Sequence, residues 1–317
     1  MRWTRAVTCL AVLATTATGC GSDGDGTALE RALSKVPAGQ PARTSVSFDD
    51  TAGLTKVAGK GSGSSDPGSY AGLRGYGSGP VLAYSSQVKG LTPAAATFTV
   101  TAGTPPRAVS LLSGGQDSGQ VADKLTAAGY RRDGKNLAAP GLGAVKDPTF
   151  AGLTLSMAKF RASGHDIAYG GSGADLSDLG SPSGKSLADD PLIKPLADCL
   201  GDVVAADFEP MHGASGSVEF AVGVRRPSSG TSVPQVVGCG AFSTAAQAND
   251  YRGRAADPQG VSARTREPWT KLLPGLRADV PGGPRHLVRW TATSPGRVRL
   301  VFDMLRALDL PGLPSTR

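Results

Sequence analysis

The sequence predicts an α+β fold in which antiparallel sheets carry helices on one face. Short segments with alternating apolar and polar residues recur along the chain, and this pattern is typical of half-buried strands. Amphipathic segments with helical spacing lie between groups of strands. Two stretches each show three strands followed by a helix, and grouped strands favour antiparallel pairing.

Length and composition are compatible with a sizeable folded core. The chain has 317 residues, and 39% of them are hydrophobic. The 44 glycines and 23 prolines are many, but too few to indicate wholesale disorder. The length permits one large domain or two small ones.

The N-terminus has the layout of a secretory signal. Arg2 and Arg5 precede an apolar run, residues 6–14, that is too short to cross a bilayer. The following residues 17–20, Ala-Thr-Gly-Cys, resemble the lipobox of bacterial lipoproteins, with Ala17 where leucine is usual. We therefore predict a signal peptide over residues 1–19.

The lipobox resemblance implies that Cys20 becomes N-terminal and carries lipid, palmitate included. Residues 20–26 are then a flexible tether, because those after the cysteine are only Gly, Ser and Asp. Acyl chains would anchor the protein to the extracytoplasmic face of the cell membrane. The alternative is an ordinary secretory signal that leaves Cys20 as a free thiol.

The charge of the chain does not indicate a nucleic-acid-binding protein. The formal net charge is +7, and it falls to +5 when the signal peptide removes two arginines and no acids. The remaining cations are scattered, and only Arg131-Arg132 and Arg225-Arg226 are adjacent arginines. The predicted membrane contact is the lipid anchor, and no nucleic-acid partner is expected.

The cysteines predict one disulfide. Cys9 leaves with the signal peptide and Cys20 carries lipid, so Cys199 and Cys239 remain as a pair in an oxidising compartment. Closing a loop of this size would constrain the unfolded chain by about 4 kcal/mol in the entropic model. Two buried free cysteines, or one reactive cysteine, are the alternatives.

The secondary structure begins with a helix over residues 28–36. Thr27 and Glu30 have the spacing of a capping box, and Pro37 ends the run of helically spaced apolar residues. Asp49-Asp50 can cap a brief helix that reaches residue 57. Further helices are predicted at 118–128, 174–179, 191–200, 244–252 and 295–308, and strands at 45–48, 96–100, 107–112, 153–160, 166–169, 203–208, 217–224, 233–239 and 287–292.

Residues 58–79 are rich in glycine and serine and are predicted to be an irregular surface loop. Two glycine triplets, at residues 59–63 and 75–79, resemble phosphate-binding loops. Neither follows a buried strand or opens a clear helix, and no Lys-Ser/Thr pair completes the motif. We therefore expect no nucleotide site there.

The order of the elements suggests a duplicated unit. Residues 106–128 and 233–252 each form a strand that begins near a proline, then a glycine, then a helix, and two strands precede each. We predict a first half over 27–180 and a second over 181–317. Chance recurrence of a common strand–helix unit is the alternative.

No catalytic, cofactor or metal motif is found. The sequence lacks Gly-x-Ser-x-Gly, and His165, His212 and His286 have no second ligand at zinc spacing. The acidic pairs can act as caps or solvated helix faces. Trp269 and Trp290 are predicted to be core or rim residues, with a sugar-binding platform as the alternative. We expect no catalytic residues, no cofactor and no metal.

Three segments resemble uncharacterised surface lipoproteins of high-GC Gram-positive bacteria: residues 107–130, residues 166–179, and Ser-Leu-Ala-Asp-Asp-Pro at 186–191. The resemblance covers about half of the chain and implies only an anchored, extracytoplasmic protein. The function that we expect is a non-enzymatic binding module for an envelope protein, a wall polymer or a small ligand. The alternatives are a carrier of an apolar ligand or lipid, and a hydrolase with a dispersed active site.

Overall fold

The computed structural model describes residues 26–58, 70–79, 90–140, 156–213, 216–227, 233–257, 259–282, 285–294 and 298–313. The signal peptide, Cys20 and almost all of the tether lie outside these residues, as does the first glycine triplet. The helices within the described ranges are α1 (Ala28–Leu33), α2 (Gln40–Arg43), α3 (Thr51–Ala58), α4 (Ser118–Ala127), α5 (Ile193–Leu200), α6 (Ala245–Ala255), α7 (Trp269–Leu272) and α8 (Leu300–Arg306). None of these helices is long and apolar enough to cross a membrane.

The strands form one antiparallel sheet of 12 strands. Their order across the sheet is β11-β12-β10-β9-β8-β1-β2-β3-β7-β6-β5-β4. The strands are β1 (Val46–Asp49), β2 (Phe98–Ala102), β3 (Val109–Ser113), β4 (Arg131–Asp133), β5 (Asn136–Ala138), β6 (Lys159–Ser163), β7 (Asp166–Gly170), β8 (Val203–Gly213), β9 (Gly216–Arg225), β10 (Gln235–Phe242), β11 (Arg277–Asp279) and β12 (His286–Thr293).

The middle of the sheet is the pairing of β1 with β8. Residues from the two predicted halves meet only at this pair within the sheet, where Val46 lies opposite Phe208 and Ser47 lies opposite Asp207. On its other side β1 pairs with β2. The two halves therefore contribute to one continuous sheet.

Helices pack on both faces of the sheet, so the prediction of helices on one face is wrong. Val237 and Cys239 of β10 face a core that contains α1 and α5, whereas Val236 faces a second core that contains α6 and α8. A third core, which includes residues of α4, lies over β3, β6 and β7. The physical reason is that central strands such as β1 and β10 are buried on both sides.

The disulfide between Cys199 and Cys239 is confirmed. It joins α5 to β10, and the two Cα atoms are 6.3 Å apart. Both cysteines belong to the same core as α1. The bond therefore fixes a covering helix to the sheet beneath it.

Several local predictions hold, whereas the strand predicted at 153–160 is found instead at Lys159–Ser163. Thr27 and Glu30 form the reciprocal capping box that begins α1. Trp290 is fully buried and Trp269 is 5% exposed, as predicted for core residues. The helix predicted at 174–179 is wrong, because these residues form turns whose side chains Leu176 and Leu179 are buried.

Candidate functional site

Buried polar side chains gather on one face of the sheet, around its central strands. In register, Ser47 pairs with Asp207 on one side and Thr101 on the other, and Asp49 pairs with Thr99. Residues paired in register point to the same face of a sheet. These five residues therefore line one face, which we name the seam face because β1 and β8 join the two halves there.

Residues 70–79, which we name the strap, cover the seam face. They form two short 3₁₀ turns, Tyr70–Leu73 and Tyr76–Ser78. Leu73 and Ser78 are fully buried. The prediction of an irregular surface loop is therefore wrong for the strap.

The strap is bound by the carboxylate of Asp49, which has no exposed surface. The backbone N–H of Gly77 donates to Oδ2 at 2.8 Å, and that of Gly75 donates to Oδ1 at 3.3 Å. The hydroxyl of Thr51 donates to Oδ1 at 2.6 Å, and that of Thr99 donates to Oδ2. Successive N–H groups of a glycine-rich turn form a concavity that suits an anion. The second glycine triplet thus binds a carboxylate of its own chain.

Gly77 is required by close approach of the strap to the sheet. A Cβ atom at this position would lie 2.4 Å from the Thr99 carbonyl oxygen and 2.7 Å from the Asp49 nitrogen. Both neighbours are backbone atoms, which cannot turn aside as a flexible side chain can. Gly75, at φ 71°, adopts the left-handed conformation that glycine tolerates best.

Asp207 binds the strap through the hydroxyl group of Tyr76. The Tyr76 hydroxyl donates to Oδ2 of Asp207, and the Arg306 guanidinium of α8 forms an ion pair with the same oxygen at 2.9 Å. The Tyr76 ring stacks on Phe302 with ring centroids 4.4 Å apart, and the Arg306 guanidinium carbon lies 5.2 Å from its centroid. Helix α8 therefore holds both Tyr76 and the carboxylate that Tyr76 contacts.

Burial changes the acidity of this cluster. It raises the pKa of Asp49 to about 6, although the four hydrogen-bond donors of that carboxylate oppose the rise. It also raises the pKa of Asp207 to about 7, against the opposing charge of Arg306. The pKa of Tyr76 is raised by burial and by the negative charge of Asp207. Such shifts concentrate at functional sites, but structural networks produce them too.

The contacts favour a structural role for the seam cluster. Both oxygens of Asp49 accept hydrogen bonds from the chain itself, and Oδ2 of Asp207 contacts Tyr76 and Arg306, whereas its buried Oδ1 has no hydrogen-bond partner among the described residues. A reacting carboxylate needs access to a substrate atom. Within the described ranges, no three His, Cys, Asp or Glu side chains come close enough to hold a metal ion. The cluster thus attaches the strap and fixes the middle of the sheet.

The opposite face carries two open cavities, one on each side of a loop at residues 171–181. We name the larger one the loop groove; its volume is about 320 Å³. The smaller cavity has a volume of about 250 Å³ and is lined by residues that include Lys135, Arg161 and Asp166. The loop groove is lined by Pro37, Gly39, Pro41, Ala42, Arg107, Val109, Gly173, Asp175, Ser177 and Asp178.

Two cations of β6 hold the loop beside the groove. Lys159 donates to the Ala174 carbonyl at 2.9 Å. The Arg161 guanidinium donates to the carbonyls of Ser177 and Leu179, and burial lowers the pKa of Arg161 while the nearby aspartates oppose this shift. The loop is therefore well fixed before any ligand arrives.

The histidines and the acidic pairs are dispersed. The Nδ1 atom of His165 lies 3.3 Å from the Gln116 carbonyl oxygen, and His286 lies in β12 with an exposed side chain. The side chain of His212 lies outside the described residues.

The acidic residues have separate partners. Asp189 completes a capping box with Ser186. Asp190 accepts from the first N–H groups of α5 and pairs with Arg43, Asp198 pairs with Lys194, and Asp202 pairs with Arg226.

Comparison with known proteins identifies no relative of this chain. No protein-family model, no curated protein and no solved structure matches the chain. The class of protein is thus defined by its own architecture, a 12-stranded antiparallel sheet with helices on both faces.

Proposed function

We propose that this chain is an exported lipoprotein, anchored at the outer face of the cytoplasmic membrane, that serves as a non-enzymatic binding module. The lipobox-like residues before Cys20 support the anchor. The Cys199–Cys239 disulfide supports export, because disulfides persist in oxidising compartments. The resemblance to surface lipoproteins of high-GC Gram-positive bacteria belongs to this proposal and rests on the same residues.

The loop groove is the observation that carries the binding role. It is open, lies beside a loop held by Lys159 and Arg161, and combines apolar with charged lining. Ligand sites in proteins combine an apolar surface with a few polar groups in this way. Its volume is near the lower end for such sites, which fits a small ligand.

We also infer that the two halves descend from one duplicated unit. Each half contains, in this order and with other elements between them, a helix, three antiparallel strands, a helix and a strand that pairs with the third: α1-β1-β2-β3-α4-β7 and α5-β8-β9-β10-α6-β12. In both, the first helix packs in one core, and the second helix packs on the other face. Superposition of the two sets of elements tests the idea, and opposite strand directions after superposing the helices would contradict it.

The first experiment is the intact mass of the protein purified from its own membranes. We expect a diacyl or triacyl increment on Cys20 and the loss of two hydrogens for the disulfide. A Cys20→Ala variant is the matched control and should lose both the increment and the membrane association. An unmodified Cys20 in the membrane-purified protein would overturn the lipoprotein proposal.

A carrier of an apolar ligand and a hydrolase are the alternatives. The carrier would retain a non-covalent lipid in the same mass measurement under native conditions. Neither described cavity favours it, because both are small and have charged lining. The hydrolase would show turnover on an ester, amide or glycoside panel that a His165→Ala, His212→Ala or His286→Ala change abolishes.

A further inference from the structure

The loop groove has an apolar floor, and its walls carry one arginine and two aspartates. Val109 of β3 is buried at the floor, and Pro37, Pro41 and Ala42 contribute apolar surface from the segment around α2. This surface is made of side chains that lose little conformational entropy when a ligand binds, since Pro and Ala have few rotamers. The floor therefore suits a small apolar body.

The cation of the groove is Arg107. Its side chain is exposed, and its Cγ atom would lie 3.2 Å from a Cβ atom on Gly173, so it extends along the loop. Among the described residues, Arg107 forms no ion pair within 4.0 Å. An arginine binds a carboxylate through two parallel N–H···O hydrogen bonds.

The anions of the groove are Asp175 and Asp178. Asp175 accepts a hydrogen bond from the Ser177 nitrogen at 2.9 Å, and Asp178 accepts one from the Ser183 hydroxyl at 2.8 Å. A carboxylate has about four acceptor positions, so each retains acceptor capacity. The hydrogen bond from Ser177 lowers the pKa of Asp175, which keeps that group ionised. Both carboxylates can therefore accept from an ammonium group.

The positions of these groups are fixed by hydrogen bonds to other parts of the fold. The Gly173 nitrogen donates to the Pro106 carbonyl at 3.1 Å, which ties the loop to the residue before Arg107. The Gly180 nitrogen donates to the Lys35 carbonyl at 2.7 Å, which ties its other end to the residues after α1. A site that is already ordered loses less entropy on binding.

We propose that the loop groove binds a free amino acid or a short peptide, whose carboxylate pairs with Arg107 and whose ammonium group pairs with Asp175 and Asp178. The small side chains of the ligand lie over Val109 and the prolines. The groove volume of about 320 Å³ suits a ligand of this size. This inference rests on the proposed role as a binding module and names its ligand class.

The test is calorimetric titration of the intact, membrane-purified protein with L-alanyl-L-alanine and with its N-acetylated and C-amidated forms. We expect saturable binding of the unmodified dipeptide and a loss of about 10-fold or more in affinity for each blocked form, since each loses one charge pair. Arg107→Gln should lower the affinity for the unmodified dipeptide by about the same factor but leave the affinity for the C-amidated form unchanged. Arg107→Lys should restore part of the affinity.

The aspartates are tested by the double variant Asp175→Asn with Asp178→Asn. This variant should bind the unmodified dipeptide less tightly, and its affinity for the N-acetylated form should be unchanged. Arg132→Gln and Asp133→Asn, on the exposed edge strand β4, make the same chemical changes outside the groove and should alter nothing. Arg107 and Asp175 are exposed, so these substitutions should leave the melting temperature unchanged. Measuring the melting temperature of each variant checks that it still folds.

Two results would overturn the inference: absence of saturable binding, or binding that the groove variants leave unchanged. The mass of the same preparation separates this failure from that of the proposed function. A chain that carries acyl groups but does not bind the dipeptide refutes only the ligand assignment. A chain that binds the dipeptide without acyl groups refutes the lipid anchor and keeps the groove.

Discussion

The two faces of β1 and β8 are held by different physical interactions, although they belong to the same two strands. On one face, Val46, Phe48 and Phe208 are buried against a core that includes α1. On the other, Ser47 and Asp207 face the strap. The apolar face gains free energy from area removed from water, which does not depend on protonation.

The seam face depends on hydrogen bonds to buried carboxylates instead. A buried charge is costly unless it is paired and hydrogen-bonded. Removing one donor therefore lowers the free energy of unfolding, because a buried acceptor is left without a partner. The middle of the sheet is thus insensitive to pH on one side and sensitive to it on the other. Variants on each face can separate the two contributions.

The largest effect is expected from truncation on the apolar face. Phe208→Ala removes a side chain that is 2% exposed, and we expect a loss of about 3–5 kcal/mol in the free energy of unfolding. Denaturant titration measures it, and the loss should be equal at pH 5 and pH 7 within about 0.5 kcal/mol. Val280→Ala, at a residue 46% exposed, is the control and should change little. A loss below about 1 kcal/mol would contradict the assignment of this core.

The second effect is a fall in stability as the pH rises. The folded pKa of Asp49, about 6, lies above the ordinary aspartate value of 3.8, and that of Asp207 is about 7. The folded state therefore binds more protons than the unfolded state in this range, and the free energy of unfolding decreases from about pH 4 to pH 7. For Asp49 the decrease is about 3 kcal/mol. Thermal melting across this range measures it.

Asp207→Asn provides the control for this pH dependence. The variant removes one titrating carboxyl and should flatten the upper part of the profile, between about pH 6 and pH 7. A profile of the unchanged protein that stays level or rises with pH would show that the seam carboxyls do not titrate as stated.

The third effect comes from the contact between strap and sheet. Gly77→Ala places a Cβ atom against the backbone of Thr99 and Asp49, so the strap must move away, at a cost of about 1–3 kcal/mol. Gly253→Ala, in α6 with no atom within 4 Å of the new Cβ, should instead stabilise the protein by up to about 1 kcal/mol. Equal effects of the two changes would refute the close approach.

The smallest effect concerns one hydroxyl. Tyr76→Phe keeps the stacking on Phe302 but removes a donor to Asp207, and should cost about 1 kcal/mol. It should also move the Asp207 midpoint of the pH profile upward, because the lost hydrogen bond favoured the charged form. Tyr70→Phe, whose hydroxyl donates to the Arg225 carbonyl, should leave that midpoint in place. No shift with Tyr76→Phe would contradict the pairing.

Local features of this fold could be predicted from the sequence because their chemistry lies within a few residues. The capping box of Thr27 and Glu30 is one such case. The Cys199–Cys239 bond is another, because elimination left a single pair. Asp50 caps α3 through the Gly53 nitrogen, as the spacing suggests.

The seam cluster could not be predicted, because it depends on long-range strand register. No residue near Asp207 in the sequence indicates that Ser47 lies opposite it. Asp49 directly precedes Asp50, so the sequence suggests only a second helix-capping residue. The glycine triplet at 75–79 carried a correct signal for an anion, but the anion is a side chain 26 residues earlier. The loop groove was missed for the same reason, since its lining comes from three separate segments.

The two ends of the sheet bear on how copies of this protein behave when they are crowded. An open sheet has two edge strands, β4 and β11, whose unpaired backbone groups could recruit another chain. Each is only three residues long, and each carries opposite charges, in Arg131-Arg132-Asp133 and in Arg277 with Asp279. Short charged edges resist edge-to-edge polymerisation, so crowded copies would remain separate molecules.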